Sequence, residues 1–110
     1  MNNVVLVGRL TKKPEITKVG EKGKRTTVVV AVTRNYKNSS GVYETDFIRC
    51  VLWNTIATNA CEYCSKGDVV GIKGRIETSN YEDENNETKY MTEIVVEKIT
   101  FLSSVKDKKE

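Results

Sequence analysis

Apolar and β-branched residues recur at every second position along most of this chain, the period of a pleated strand with one covered face, and clusters of Gly, Asn, Ser and Asp interrupt the runs. The alternation predicts five main strands, over residues 3–10, 25–36, 45–53, 68–81 and 89–101. A short extended piece at 15–18 follows the only proline, Pro14. The run from Thr26 to Thr33 is apolar on both parities and reads as a central strand covered on both faces. Asn38, Ser39, Ser40 and Gly41 form a turn cluster, so the second and third strands make a long hairpin. Between the third and fourth strands the period changes. Asn54 is placed to cap a helix, Ile56, Ala57, Ala60, Tyr63 and Cys64 fall on one helical face, and Lys66 with Gly67 ends it, Gly67 suiting a left-handed cap. Glu82, Asp83, Glu84 and Glu87 mark a hydrophilic hairpin tip.

Strand, strand, strand, helix, strand, strand is the order of the five-stranded oligonucleotide/oligosaccharide-binding (OB) barrel, an all-β fold with one short helix between strands three and four and extended hairpin loops. Gly8, Gly71 and Gly74 lie inside strand patterns, where a missing side chain permits the bends and bulges that close a small barrel. Residues 1–104 are expected to form that single domain, followed by a short charged tail at 105–110.

The third strand carries the most chemistry. Phe47, Arg49, Val51 and Trp53 project to one side, and Ile48, Cys50 and Leu52 to the other. The second set can line a core. The first offers rings for stacking and a guanidinium for phosphate, which is the equipment of a single-strand nucleic-acid platform. A strand buried on both sides would show the same alternation, so the other strands must decide. In the fourth strand Lys73, Arg75, Glu77, Ser79 and Tyr81 share one parity, opposite Ile72, Gly74 and Ile76. Tyr36 closes the second strand at a rim position and Lys37 follows it. Each ring alone fits ordinary packing, and each cation alone fits a solvated surface. Together, Tyr36, Phe47, Trp53 and Tyr81 would stack on bases, while Lys37, Arg49, Lys73 and Arg75 would face phosphates and make binding depend on salt.

Composition narrows the classes. With 110 residues there is room for one core and one function, and no apolar run approaches the ~20 residues of a membrane-spanning helix. The start lacks a basic segment ahead of its apolar run, so no secretory signal is expected and the cytoplasm is the expected location. Net charge is only +3, but residues 1–81 hold 13 Lys and Arg against 7 Asp and Glu, and residues 82–110 hold 5 against 8. The basic excess therefore sits on the domain body. There is no His, no recognisable acid–base pair and no phosphate-binding Gly-rich loop followed by Lys, so no catalytic site and no cofactor are expected. Cys61 and Cys64 match C-x-x-C, but they sit near the predicted C-terminal end of a helix, where the dipole disfavours thiolate, and two further metal ligands are lacking. Cys50 and Cys64 are read as core residues, and no metal site is assigned.

These features, taken with the opening Asn3-Val4-Val5-Leu6-Val7-Gly8-Arg9-Leu10 and its following Pro14-Glu15, the segment from Phe47 to Trp53, Tyr63-Cys64-Ser65-Lys66-Gly67-Asp68, Gly74-Arg75-Ile76 and Tyr81, resemble the bacterial and phage single-stranded DNA-binding proteins over nearly the whole chain. The resemblance implies an OB barrel that assembles, usually as a homotetramer, and wraps single-stranded DNA in replication, recombination and repair. It puts Tyr36, Phe47, Trp53 and Tyr81 where that family has stacking aromatics and Arg49 where it has a basic contact. It also implies a bacterial nucleoid or a phage-infected cell as the setting. Two departures stand out. Glu77, Thr78, Ser79 and Asn80 precede Tyr81 where relatives often carry basic residues, which weakens the fourth-to-fifth strand hairpin as a DNA clamp. The tail at 105–110 lacks the family's acidic tip ending in Phe, so recruitment of replication and repair partners through such a tip is not expected, whether the chain is trimmed or a phage or paralogous form. Within the sequence, assembly is motivated by excess apolar strand faces at Val28, Val29 and Val30 and at Val95 and Val96. The alternatives are a single-stranded RNA-binding OB module and a protein-interaction OB domain.

Overall fold

The computed structural model describes residues 1–104, and the short charged tail therefore lies outside the described residues. Strands β1 (Val4–Leu10), β2 (Thr17–Lys18), β3 (Lys24–Lys37) and β4 (Tyr43–Trp53) precede helix α1 (Asn54–Tyr63), and β5 (Val69–Glu82) and β6 (Thr88–Ser103) follow it. The five long strands close in the order β1-β5-β6-β4-β3, with β3 returning to β1 through Arg9 opposite Ala31 and Leu10 opposite Val30. All these pairings are antiparallel except β4 with β6, where Cys50 lies opposite Ile94 and Val51 opposite Val95. This is the five-stranded mixed barrel expected for an OB fold, with the helix where the alternation broke off. The two-residue β2 extends the sheet at the start of β3.

Side chains of one parity fill the barrel. Leu10, Val28, Val30, Cys50, Leu52, Val70, Ile72, Ile94 and Val96 form one buried cluster, and Ala57, Ala60 and Cys64 bring α1 onto it. Ala57 and Ala60 let the helix approach closely, since at these two positions only a methyl stands between its backbone and the strands. Closure also needs two positions without side chains. A Cβ on Gly8 would run into the backbone oxygen of Ala31, and one on Gly74 into that of Val95. Gly74 adjoins the bulge in the β5–β6 ladder, where the register jumps between Lys73 and Gly74. The bend thus falls where the backbones come closest.

Several expectations are corrected. Asn54 does not cap α1: its φ is +52°, Trp53 precedes the helix in extended conformation, and the Asn54 Oδ1 accepts the backbone N–H of Lys24 at 3.2 Å instead. The side chain is spent on tying α1 to the start of β3. The helix stops at Tyr63, with the Cys64 N–H donating to the Ala60 carbonyl, so Gly67 is not its cap. Gly67 does have a positive φ, of 89°, in a separate turn whose N–H reaches the carbonyl of Leu10. Tyr63, expected on the buried helical face, is exposed and lies against Phe101 with ring centroids 6.0 Å apart and the planes tilted by 51°. Ile76, expected inside, is 44% exposed because β5 has by then run past the barrel. Nor is β3 covered equally on both faces: Thr26, Val28 and Val30 are buried, whereas Thr27, Val29 and Ala31 are half-buried.

Candidate nucleic-acid interface

The outer face of β4 and its neighbours is built from strand register. Arg25 lies opposite Trp53, Thr27 opposite Val51, Val29 opposite Arg49 and Ala31 opposite Phe47. On the other side β6 places Val95 beside Val51, and β5 places Arg75 opposite Val95 and Glu77 opposite Glu93. Val51, expected to project with the binding residues, does share their parity but is only 3% exposed, and Val95 next to it is 8% exposed. The two valines form a low floor. Around it stand Phe47, 68% exposed, and Trp53, half-buried with the Arg25 guanidinium 5.8 Å from its ring centroid. A ring exposed to that extent beside an apolar floor leaves unsatisfied apolar surface that a flat partner can cover.

The cations on this face are not bare. The Arg49 Nε donates to Glu93 Oε2 at 3.0 Å. Arg75 is held more fully, with Nε and Nη2 on Glu77 at 2.8 and 2.7 Å and Nη1 near Glu97 at 3.4 Å. Arg49 and Arg75 are thus brought onto one face as the alternation required, together with three carboxylates that alternation did not reveal. Lys73 sits elsewhere. Its cross-strand neighbours are Val5 and Lys98, so it lies toward β1 and away from the floor beneath Phe47 and Trp53.

Two hairpin arms extend from the barrel and carry the remaining predicted residues. In the β3–β4 arm the register jumps between Thr33 and Lys37, so the orientation of Tyr36 is set by an irregularity and not by simple alternation. Tyr36 is 59% exposed, and the Arg34 guanidinium lies 6.0 Å from its ring centroid. That guanidinium is clamped by Asp46 at 2.9 Å and Glu44 at 2.7 Å. The hydrogen bond from Arg34 lowers the Asp46 carboxyl below its ordinary range, and the pair keeps both groups charged. Lys37 lies across from Tyr43, with its Nζ 5.6 Å from the ring centroid. Tyr43, 51% exposed, was missed in the sequence reading; extending the Phe47 alternation two residues past Thr45 reaches it. In the β5–β6 arm Tyr81 is 54% exposed opposite Lys89. Tyr90, more exposed still, was also missed, and it lies on the opposite parity of its strand from Lys89 and Glu93. The acidic tip is a structured turn: Asp83 Oδ1 accepts the N–H groups of Asn85 and Glu87, and Lys89 Nζ lies 3.3 Å from Glu87.

Cys50 and Cys64 are buried, and Cys61 is half-buried. Burial pushes the Cys50 thiol up to about 12 and is the first cause raising Cys64 to about 11, with the nearby Asp68 charge adding to it. Burial raises Cys61 as well. A reactive free thiolate needs the reverse shift. Among the described residues no three His, Cys, Asp or Glu side chains are grouped to hold a metal ion, and no helix is long and apolar enough to cross a membrane.

The comparisons with known proteins agree with one another. Residues 1–102 match the model of the single-strand binding protein family. The chain is 45% identical over 104 residues to single-stranded DNA-binding protein 3 of Streptococcus agalactiae, covering 94% of this chain and 75% of that one. It is also 45% identical over 104 residues to single-stranded DNA-binding protein 3 of Listeria innocua, covering 94% of this chain but 65% of that longer one. Similarity to single-stranded DNA-binding protein B of Bacillus subtilis is 42% over 101 residues, covering 92% of this chain and 89% of the relative.

Proposed function

Because the chain belongs to the single-strand binding protein family, we propose that it binds single-stranded DNA without reading its sequence, by stacking bases on Phe47, Trp53, Tyr36 and Tyr81 and by pairing phosphates with Lys37, Arg49 and Arg75, while Lys73, beside Val5 of β1, lies off this row. The observation that carries this reading is the row of Phe47, Arg49 and Trp53 along the outer face of one barrel strand, beside a floor of two valines. Every base has a π-face, so stacking is indifferent to sequence, and cations alongside follow the backbone. Tyr43 joins the stacking set as the ring over which Lys37 lies. The protein acts as a binder and not a catalyst, in protection of single strands during replication, recombination and repair in a bacterial cytoplasm.

The test is quenching of the sole tryptophan, Trp53, during titration with an oligo-dT strand at low and high salt, against duplex and RNA strands of equal length. Preferential quenching by the DNA single strand, weakening with a log–log slope of about −0.7 per phosphate neutralised, is expected. Equal or stronger binding of RNA would move the protein to the RNA-binding reading. Absence of binding to any strand, confirmed by gel shift, would leave a protein-interaction barrel.

Assembly as a homotetramer belongs to the same proposal, on different grounds from those the sequence offered. Val28, Val30 and Val96 are consumed inside the barrel and Val95 in the floor of its outer face, each less than a tenth exposed. The apolar surface left over lies instead on β1 and the end of β6, where Val5, Val7 and Leu102 are 74, 56 and 52% exposed. Covering it with further copies would remove that surface from water. Sedimentation at micromolar concentration is expected to give a tetramer that Val5→Lys/Val7→Lys breaks down; a monomeric unsubstituted protein would overturn assembly.

A further inference from the structure

The arginines of the interface are already countered by the protein's own carboxylates, in one connected array. Arg49 on β4 bonds Glu93 on β6, Glu93 lies opposite Glu77 on β5, Glu77 holds Arg75, and Arg75 reaches Glu97 back on β6. Two guanidinium groups are thus set among three carboxylates, on a face meant for a polyanion. Residues 77, 93 and 97 lie far from residue 49 in the chain, and only closure of the barrel brings them together.

We infer that Glu93, with Glu77 and Glu97, is a specificity determinant that excludes duplex DNA from this face. The inference rests on the single-strand reading above and deepens it. A duplex keeps its bases stacked inside, so Phe47 and Trp53 gain nothing from it, and its affinity must come from phosphates alone. Those phosphates have to displace carboxylates from Arg75, whose three nitrogens are all engaged, and to share Arg49 with Glu93, and at both they lie beside negative charge. Because a duplex carries a denser line of charge, one per about 1.7 Å of axis, it meets the larger repulsion. An unstacked single strand has ring faces to offer, and stacking offsets the same electrostatic cost. The carboxylates therefore lower affinity for both forms but divide them by how much each depends on phosphate. Arginines already paired with carboxylates also neutralise fewer phosphates, so fewer of the cations condensed on the nucleic acid are released at this patch.

Glu93→Gln and the pair Glu77→Gln/Glu97→Gln test this, since glutamine keeps an oxygen to accept the arginine N–H while removing the charge. The side chains of Glu77 and Glu97 are 49 and 43% exposed, so that second variant keeps the test open if Glu93→Gln does not fold. Dissociation constants for oligo-dT and for an equal-length duplex are measured over a series of salt concentrations. Duplex affinity is expected to rise by about tenfold and oligo-dT affinity by much less, with the duplex log–log salt slope steeper by about 0.9 for each arginine released. Adding Arg49→Gln to Glu93→Gln should cancel the gain, as a double-mutant cycle requires of coupled groups. Unchanged duplex affinity in folded variants would overturn the inference, and so would a loss of oligo-dT affinity, which would make Glu93 a support for Arg49. An unsubstituted protein that binds no oligo-dT would instead defeat the functional reading itself, and the two failures are thereby told apart.

Discussion

Replacing Phe47 and Trp53 together by alanine is expected to weaken binding of an oligo-dT strand by about 30-fold or more while leaving the barrel folded. Base–aromatic stacking is worth about 1–3 kcal/mol per base on alanine substitution, a range drawn in part from single-strand binding proteins themselves, so two rings supply about 2–6 kcal/mol, and every 1.4 kcal/mol is roughly tenfold in the dissociation constant. Phe47 is 68% exposed, and truncating a side chain so placed costs the fold little, within about 0.5 kcal/mol. Trp53 is more embedded and shares its ring with Arg25, so its own truncation carries a small stability cost as well. Because the substitution removes the fluorophore, the measurement is anisotropy of a labelled oligo-dT strand, with circular dichroism on the same samples. Unaltered affinity in a folded variant would remove stacking on this strand from the mechanism. The tenfold expected from the carboxylate substitutions has the opposite sign and concerns the duplex, so the two experiments probe different physical contributions on one surface.

Leu52→Ala, one residue from Trp53 along the same strand, is expected to do the converse. Leu52 is fully buried, in contact with the cluster of Val28, Val30, Ile72 and the helix alanines. Removing its branched end leaves a cavity among side chains fixed on five strands, and substitutions of this kind cost about 2–5 kcal/mol. For a domain whose total stability is about 5–15 kcal/mol, that is a large fraction. Urea unfolding should show a lower midpoint with a similar slope. The folded fraction should still bind oligo-dT with an affinity close to the unsubstituted protein, because Phe47, Arg49 and Trp53 project from the other face. If Leu52→Ala lost affinity while fully folded, the two faces of β4 would not be independent. The comparison separates stability from function at adjacent positions of a single strand.

Much of this was legible because a strand's parity is a local property. Alternation from Thr45 to Trp53 is enough to put Cys50 and Leu52 inside and Phe47, Arg49 and Trp53 outside, whatever the rest of the chain does. Parity likewise separates Ile72, inside, from Arg75, outside, and the change of period after Trp53 locates the helix. The reading failed where parity stops being local. Ile76 has the parity of Ile72 but is exposed, since by that point β5 has left the barrel for its hairpin arm and its inner face has no core to meet. Tyr36 is picked out as a candidate by its type and position, but its orientation follows from a register jump that a regular alternation does not contain.

The chain's own order of residues determined the elements, the sides of each strand and hence the existence of an aromatic, cationic face on β4. What covers or opposes that face was decided only by the closed sheet. Val51 is buried because the parallel neighbour β6 sets Val95 against it, and Arg49 is countered because the same neighbour delivers Glu93. Asn54 likewise gave up its expected capping role because Lys24, thirty residues earlier, offers a backbone N–H within reach. Periodicity fixes the direction of a side chain from its immediate neighbours, whereas burial and charge pairing depend on which distant strand lies alongside, and that is set by the order in which the barrel closes.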